Sequence, residues 1–150
     1  MTISLVTENK KQYLNLLLLA DEEETMIDKY LERGDLFTLN DSGVKSLCVV
    51  TDEGDGVFEL QSLATDPAYQ RRGYAGALVR YIREYYQGRC KTLLVGTGDC
   101  PKMMSIYEHL GFAFSRRLVN YMPQHYSQPI IEDGYLILDK VYLKMEMQDT

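Results

Sequence analysis

The sequence has little from which to build a metal centre or a disulfide framework. Its 150 residues include three cysteines and two histidines. Cys48, Cys90 and Cys100 match no zinc-ligand spacing, and an odd count fits no disulfide framework. Unpaired thiols suit a reducing compartment, so a cytoplasmic location is expected. Long apolar runs are missing too. The strongest, Leu14 to Ala20, is far short of the roughly 20 residues a bilayer span needs, and no membrane partner is expected. The residues Met1 to Thr7 lack a basic region and a long apolar stretch, so no targeting segment is expected. Positive charge is in deficit. Sixteen Lys and Arg face 22 Asp and Glu, for a net charge of -6 and a pI near 4.9. That balance argues against nucleic acid as a partner and fits an amine-bearing one. Repeats and linkers are absent, so one domain over 1–150 is expected.

What is present is ordinary globular material, 45% hydrophobic and 25% charged. A chain this long buries about two-thirds of its unfolded surface. Ile3, Leu5 and Val6 predict a first strand, with Thr7 as the cap of a following helix. Tyr13 to Leu19 is so apolar that it predicts a helix buried on several sides. Asp21 to Glu24 read as the acidic, solvated first turn of a second helix, a polyamine seat being the other reading, with Met26, Ile27, Tyr30 and Leu31 as its apolar stripe and Gly34 as its stop. Leu36 to Leu39, Val44 to Thr51 and Val57 to Thr65 then predict an antiparallel meander, because short polar turns join them.

After the third strand of that meander comes a basic, glycine-bearing loop, Gln70-Arg71-Arg72-Gly73-Tyr74-Ala75-Gly76. It opens a helix whose apolar face is Ala75, Leu78, Val79, Ile82 and Tyr86. The first amides of a helix have no intrahelical acceptor and the helix dipole is positive there, so strand, loop and helix together suit a phosphate. Two arginines add forked donors. A solvated basic turn is the other reading. Thr92 to Val95 predict a central strand parallel to the one before the loop. Gly96-Thr97-Gly98-Asp99-Cys100-Pro101 leads into a helix containing Met103, Met104, Ile106, Tyr107 and Leu110, which Gly111 ends. Phe112 to Phe114 begin a strand, 120–134 form a long connection, and Tyr135 to Met147 make a last strand, bent or broken near Asp139-Lys140. No G-x-G-x-x-G dinucleotide fingerprint is present, and the glycine spacing is wrong for one.

Three segments carry a family resemblance. Leu63 to Ala75, with its Gln70-Arg71-Arg72-Gly73-Tyr74-Ala75 loop, resembles the fourth strand and pyrophosphate loop of the GNAT superfamily of N-acetyltransferases. Gly96-Thr97-Gly98 before a helix is similar to a second family feature. Tyr107-Glu108-His109-Leu110-Gly111-Phe112 is similar to its Y-E-x-L-G-F segment. The resemblance implies an α/β (α+β) fold. Its sheet is mixed, of about six to seven strands with an antiparallel N-terminal meander. Two N-terminal helices, a cofactor-loop helix and a fourth helix surround it.

The resemblance also implies acetyl-CoA as donor and no metal. The pyrophosphate would lie on Arg71, Arg72, Gly73, Tyr74, Ala75 and Gly76. The pantetheine arm would run along the main chain of Leu63, Ala64 and Thr65, held open by a bulge. Tyr107 matches the tyrosine that gives a proton to the leaving sulfur. Glu59 matches a general base found in some members, and a solvent-facing strand glutamate is the other reading. Plain alternation would put Glu59, Gln61, Leu63 and Thr65 on one face. Cys100 occupies the position of an asparagine that touches the pantetheine arm, so that contact departs from the pattern. Tyr126, Glu132 and Asp139 are the expected amine-pocket residues, since carboxylates and aromatic faces suit ammonium groups. The implied reaction is transfer to a primary amine, preferably of a small molecule, by direct attack in a ternary complex. A protein amine, a non-catalytic acyl-CoA-binding module and a plain interaction protein are the rivals. Dimerisation through the C-terminal strand is a further expectation, since edge strands invite pairing.

Overall fold

A computed structural model describes residues 1–147. Seven strands form one sheet in the order β1-β2-β3-β4-β5-β9-β6. They are β1 (Thr2–Val6), β2 (Asp35–Asn40), β3 (Val44–Gly54), β4 (Val57–Thr65), β5 (Thr92–Gly98), β6 (Ala113–Leu118) and β9 (Lys140–Glu146). The pair β4–β5 is parallel, and every other neighbouring pair is antiparallel. A separate hairpin pairs β7 (Ile130–Glu132) with β8 (Tyr135–Ile137). The helices are α1 (Leu14–Ala20), α2 (Glu24–Ile27), α3 (Tyr74–Tyr85), α4 (Pro101–His109) and α5 (Tyr121–His125). The mixed sheet, the meander and the two N-terminal helices match the expected fold, and no described helix is long and apolar enough to cross a membrane.

The two faces of the sheet carry different cores. On one, Leu78, Val79 and Ile82 of α3 and Tyr107 of α4 pack on Phe37, Val50, Leu60, Val95 and Leu143. On the other, Leu17 of α1 and Ile27, Tyr30 and Leu31 of the α2 region pack on Leu36, Leu47, Val49 and Ala64. Each fully buried aliphatic side chain contributes about 1.5–3 kcal/mol, so both layers are needed to hold the sheet.

Several expectations change. The leucine-rich helix is not buried on several sides. Leu17 alone is fully covered, and Leu19 is 53% exposed, because one short helix lies on the sheet's surface. Thr7 does not cap it; the chain passes through Asn9 at φ +50° into a 3-10 turn, Lys10–Tyr13. Lys10 is buried there. Its ammonium donates to the carbonyls of Leu31 (2.9 Å), Glu32 (3.2 Å) and Gly34 (2.7 Å), satisfying the turn that follows the single-turn α2. β5 is not covered on both faces along its length: Leu93 and Val95 are buried while Thr92 and Leu94 are half-buried. The 120–134 connection is not irregular but contains α5 and β7. The last strand breaks at Leu138-Asp139, so β8 and β9 belong to different sheets. Finally, β9 is paired on both sides, and β1 and β6 are the edges of the seven-stranded sheet.

Candidate active site

The site begins with an irregularity in β4. Val49 lies opposite Ser62 and Val50 opposite Leu60, so Gln61 is an extra residue on β4. The bulge reverses the alternation expected from the sequence. Leu60 and Leu63 both pack into the α3-side core, whereas Ala64 belongs to the α1-side core and Ser62 bonds Tyr30 there. Glu59 therefore does not share its face with Leu63. It lies across from Thr51, and Gln61 donates to Thr51 Oγ1 at 3.1 Å.

The β4–β5 ladder stops at Leu60 opposite Val95, although β4 continues to Thr65 and β5 to Gly98. The strands part there, and the β5-facing edge of Gln61 to Thr65 has no strand neighbour. A cleft of about 410 Å³ opens at the parting. β4 contributes Glu59, Gln61, Ser62 and Leu63; β5 contributes Gly96, Thr97 and Gly98; α4 contributes Met103 and Tyr107. The far side is the α1–α2 corner, with Asp21 and Glu22, and the segment containing Tyr121, Tyr126 and Glu132. Lys140 and Tyr142 of β9 complete it.

Glu59 is buried at 7% exposure, and burial pushes its carboxyl above the ordinary 4.5, partly offset by attraction to Lys140. Among the described residues its carboxylate makes no hydrogen bond. Tyr107 is buried beside Phe112, the rings meeting edge to face at 6.0 Å. Burial pushes its hydroxyl up to about 12, so it keeps its proton at neutral pH. Lys140 rests over two rings, 4.7 Å from the centroid of Tyr121 and 4.8 Å from that of Tyr142. Gly96 makes this possible: a Cβ there would collide with the Lys140 side chain. Burial and the nearby Glu59 push the Tyr142 hydroxyl up to about 12.

Beyond Thr65 the expected loop follows. Asp66 accepts from the Ala68 amide at 2.9 Å and starts a 3-10 turn, Pro67–Tyr69. Tyr69 lies between Lys45 and Arg72, at 4.1 and 5.2 Å from its centroid. Tyr74 donates to Asp41 at 2.7 Å, tying the helix start to the β2–β3 turn. Arg71 sits at φ +64° and Gly73 at φ +82°, two left-handed residues that turn the chain into α3. The first intrahelical bond of α3 runs from the Ala77 amide to Gly73 O. The amides of Tyr74, Ala75 and Gly76 thus remain available at the positive end of a 12-residue helix. Arg71 and Arg72 are exposed beside them.

Of the expected pocket residues, Tyr126 and Glu132 line the cleft and Asp139 does not. Asp139 accepts from Arg117 at 3.1 Å and from the Asn120 amide at 2.9 Å, holding the turn before β9. Cys100 precedes α4 but makes no capping bond. Its thiol is buried with Met122, Ile130 and Ile137; Met122 and Ile130 line the cleft, and Cys100 itself does not.

The sequence reading favoured a solvated helix start for 21–24 over a polyamine seat, but Asp21 and Glu22 line the cleft, and Asp21 and Glu23 bond the 126–128 segment. Asp21 accepts from Tyr126 at 2.8 Å and from Tyr30 at 3.3 Å. Burial raises its pKa against those bonds, and it raises that of Tyr126 as well. Glu22 and Glu132 both line the cleft, and partial burial followed by the neighbouring Glu132 carboxyl raises the pKa of Glu22. Glu23 accepts from the amide and hydroxyl of Ser127, both at 2.8 Å. Glu24 faces outward, in an ion pair with Lys11. The separation of these partners by about a hundred residues leaves no local signal in the sequence.

Comparison with known proteins identifies the family. A family model described as an acetyltransferase (GNAT) domain matches residues 32–113. An uncharacterized N-acetyltransferase of Bacillus subtilis (strain 168), YvbK, is 27% identical over 148 residues, covering 97% of this chain and 96% of that protein. The crystal structure of a GNAT family acetyltransferase from Elizabethkingia anophelis with acetyl-CoA bound superposes with a TM-score of 0.90 at 27% identity, over 97% of each chain. A Bacillus subtilis acetyltransferase in complex with CoA gives a TM-score of 0.87 at 27% identity, over 97% of this chain and 98% of that one. The chain belongs to the GNAT acetyltransferases and is an acyltransferase.

Proposed function

We propose that the protein transfers the acetyl group of acetyl-CoA to a primary amine of a small molecule, by direct attack in a ternary complex. The observation that carries this is the meeting of Glu59 and Tyr107, from β4 and α4, in one cleft where β4 and β5 part. Acetyl-CoA fits the chain's own groups. The amides of Tyr74, Ala75 and Gly76, with Arg71 and Arg72 beside them, suit its diphosphate. The open β4 edge at Leu63, Ala64 and Thr65 suits its amide-bearing arm as an added strand. The bound molecule supplies an activated acyl carbon and a thiolate leaving group.

Glu59 then takes the proton that an ammonium must lose before it attacks, directly or through water. Its raised pKa brings it nearer to that task than an ordinary carboxylate. Tyr107 holds its proton at Oη for the departing sulfur. Tyr126 and Glu132 border the acceptor's side of the cleft. Much of the rate comes from holding the two reactants in register. The reading takes residues 1–150 as one acetyltransferase domain, since strands on either side of the matched region share its sheet. A reducing, cytoplasmic setting suits its three free thiols.

Acetyl-CoA titrated against thermal unfolding should raise Tm, and no shift at ligand on the order of millimolar would sink the assignment. Tyr107→Phe should lower kcat by about 10²-fold while leaving that stabilisation intact. Unchanged turnover would remove Tyr107 from its role.

A further inference from the structure

We propose that Lys140 seats a carboxylate of the acceptor, so that the molecule acetylated is an amino acid with its amine at Glu59 and its carboxylate at Lys140. The proposal rests on the acetyl-transfer reading above and names the chemical class of its acceptor.

Strand register puts both groups on one face of the sheet. Glu59 lies opposite Leu94, and Leu94, Gly96 and Gly98 of β5 lie opposite Lys144, Tyr142 and Lys140 of β9. Directly opposed residues share a face, and alternate residues repeat it. The intervening Leu93, Val95, Val141 and Leu143 belong to the α3-side core, so Glu59 and Lys140 lie on the opposite, cleft-bearing face. Gly96 lets Lys140 lean across β5. A Cβ on Gly96 would stand 3.2 Å from Lys140 Nζ, closer than it could sit without displacing the lysine tail. The ammonium thus lies over β5, on the side from which β4 follows. One strand across and two residues along, the backbones of Gly96 and Glu59 are roughly 8 Å apart.

That ammonium is held but not spent. The faces of Tyr121 and Tyr142 fix it, and among the described residues it makes no hydrogen bond or ion pair. The neighbouring cations differ. Arg33 is paired with Glu53 at 2.8 Å, and Lys144, in the row of Glu59, lies 3.4 Å from Glu146. Lys29 is exposed to bulk water, whereas Lys140 is half-buried and lines the cleft.

An acid and a base that share a face, stand close and do not pair leave a gap that a zwitterion fills. Its ammonium meets Glu59 and its carboxylate meets Lys140, each in a charge-assisted bond. The rest of the lining fixes the orientation, because Asp21, Glu22 and Glu132 repel a carboxylate placed elsewhere. Leu63, Met103, Met122 and Ile130 supply apolar wall for a side chain, so apolar amino acids are the class expected. A plain amine leaves Lys140 without an oxygen acceptor.

The test follows thiol release from acetyl-CoA with amines that differ only in the carboxylate: phenylalanine against phenethylamine, and leucine against isopentylamine. The basicity difference within each pair is the same for every enzyme variant, so the change in the kcat/KM ratio reads Lys140. Lys140→Met keeps a stem of similar length and should lower the amino acid to amine ratio by about tenfold or more. Lys140→Arg should keep most of it. Gly96→Ala retains the charge but pushes the lysine tail aside, and it should lower the ratio as well. This second variant decides if Lys140→Met does not fold, which its thermal stabilisation by acetyl-CoA reports. Failure of the wild type to acetylate any amino acid while it acetylates the amines overturns the proposal. So does an equal loss toward both members of a pair in Lys140→Met, or a rise confined to the KM for acetyl-CoA. Turnover of neither amines nor amino acids, with acetyl-CoA binding intact, overturns the amine-transfer reading along with it.

Discussion

The two halves of the cleft are made of different materials. The donor side is one continuous stretch, from the bulge at Gln61 to the first turn of α3, and it offers main-chain groups: an open strand edge and three free amides. The acceptor side is assembled from side chains of four distant segments, around Asp21 and Glu22, Glu59, Tyr126 to Glu132, and Lys140. Main-chain recognition needs a backbone shape, which a short motif encodes. Side-chain recognition needs distant residues to converge, which no short motif encodes.

Three sets of substitutions test that contrast. The largest effect is expected at Glu59. Glu59→Gln should lower kcat by about 10²–10⁴-fold and abolish the acid limb of the pH–rate profile that lies above the ordinary carboxyl value. The same change should raise Tm at neutral pH. A buried carboxyl whose folded pKa is raised loses stability as pH climbs from its unfolded value through its folded one. The gain should therefore vanish at a pH below 4.5, where both states of Glu59 are protonated. A Tm gain that persists there would mean that the substitution acts by packing.

The next effect belongs to the donor side and should depend on backbone rather than charge. Gly73 sits at φ +82°, and a methyl group placed on its Cα would meet nothing within 4 Å, so its torsion and not its space requires glycine. Gly73→Ala should raise the KM for acetyl-CoA by about tenfold, the equivalent of ~1.4 kcal/mol, with kcat retained at saturation. Arg71→Gly removes a charge but favours the same left-handed torsion, and it should raise KM by less. The reverse order would mean that side chains, not main chain, hold the donor.

The smallest effect tests the clamp between the halves of the acceptor side. Tyr126→Phe removes the donor to Asp21 and leaves Tyr30 in place. It should cost about 1 kcal/mol, or roughly 2–4 °C in Tm. No measurable shift would mean that the Glu23–Ser127 bonds alone hold the two segments.

The same division explains what the sequence disclosed. The β4 limits, the α3 stripe and the β4–β5 pairing were legible because each has a local period or a turn signal. The resemblance implied a bulge in β4 but not its position, since one extra residue leaves the hydrophobic pattern readable in two registers; at Gln61 it moved Leu63 to the face opposite Glu59. The leucine run at α1 misled for a related reason. Composition reports apolarity, but only the neighbours decide how much of it is covered. Asp139 was a sound chemical choice that the break before β9 turned toward Arg117 instead.

By itself the sequence carried the family resemblance, the antiparallel meander and the glycine-bearing loop before α3, because neighbouring residues encode each of them. The tertiary structure alone decided that Asp21 and Glu22 face the cleft, that Glu132 lines the same cleft, and that Cys100 lies in an apolar cluster. Those placements depend on where the α1–α2 corner and the 121–132 segment pack, and chain entropy links segments so distant only after the sheet between them has formed.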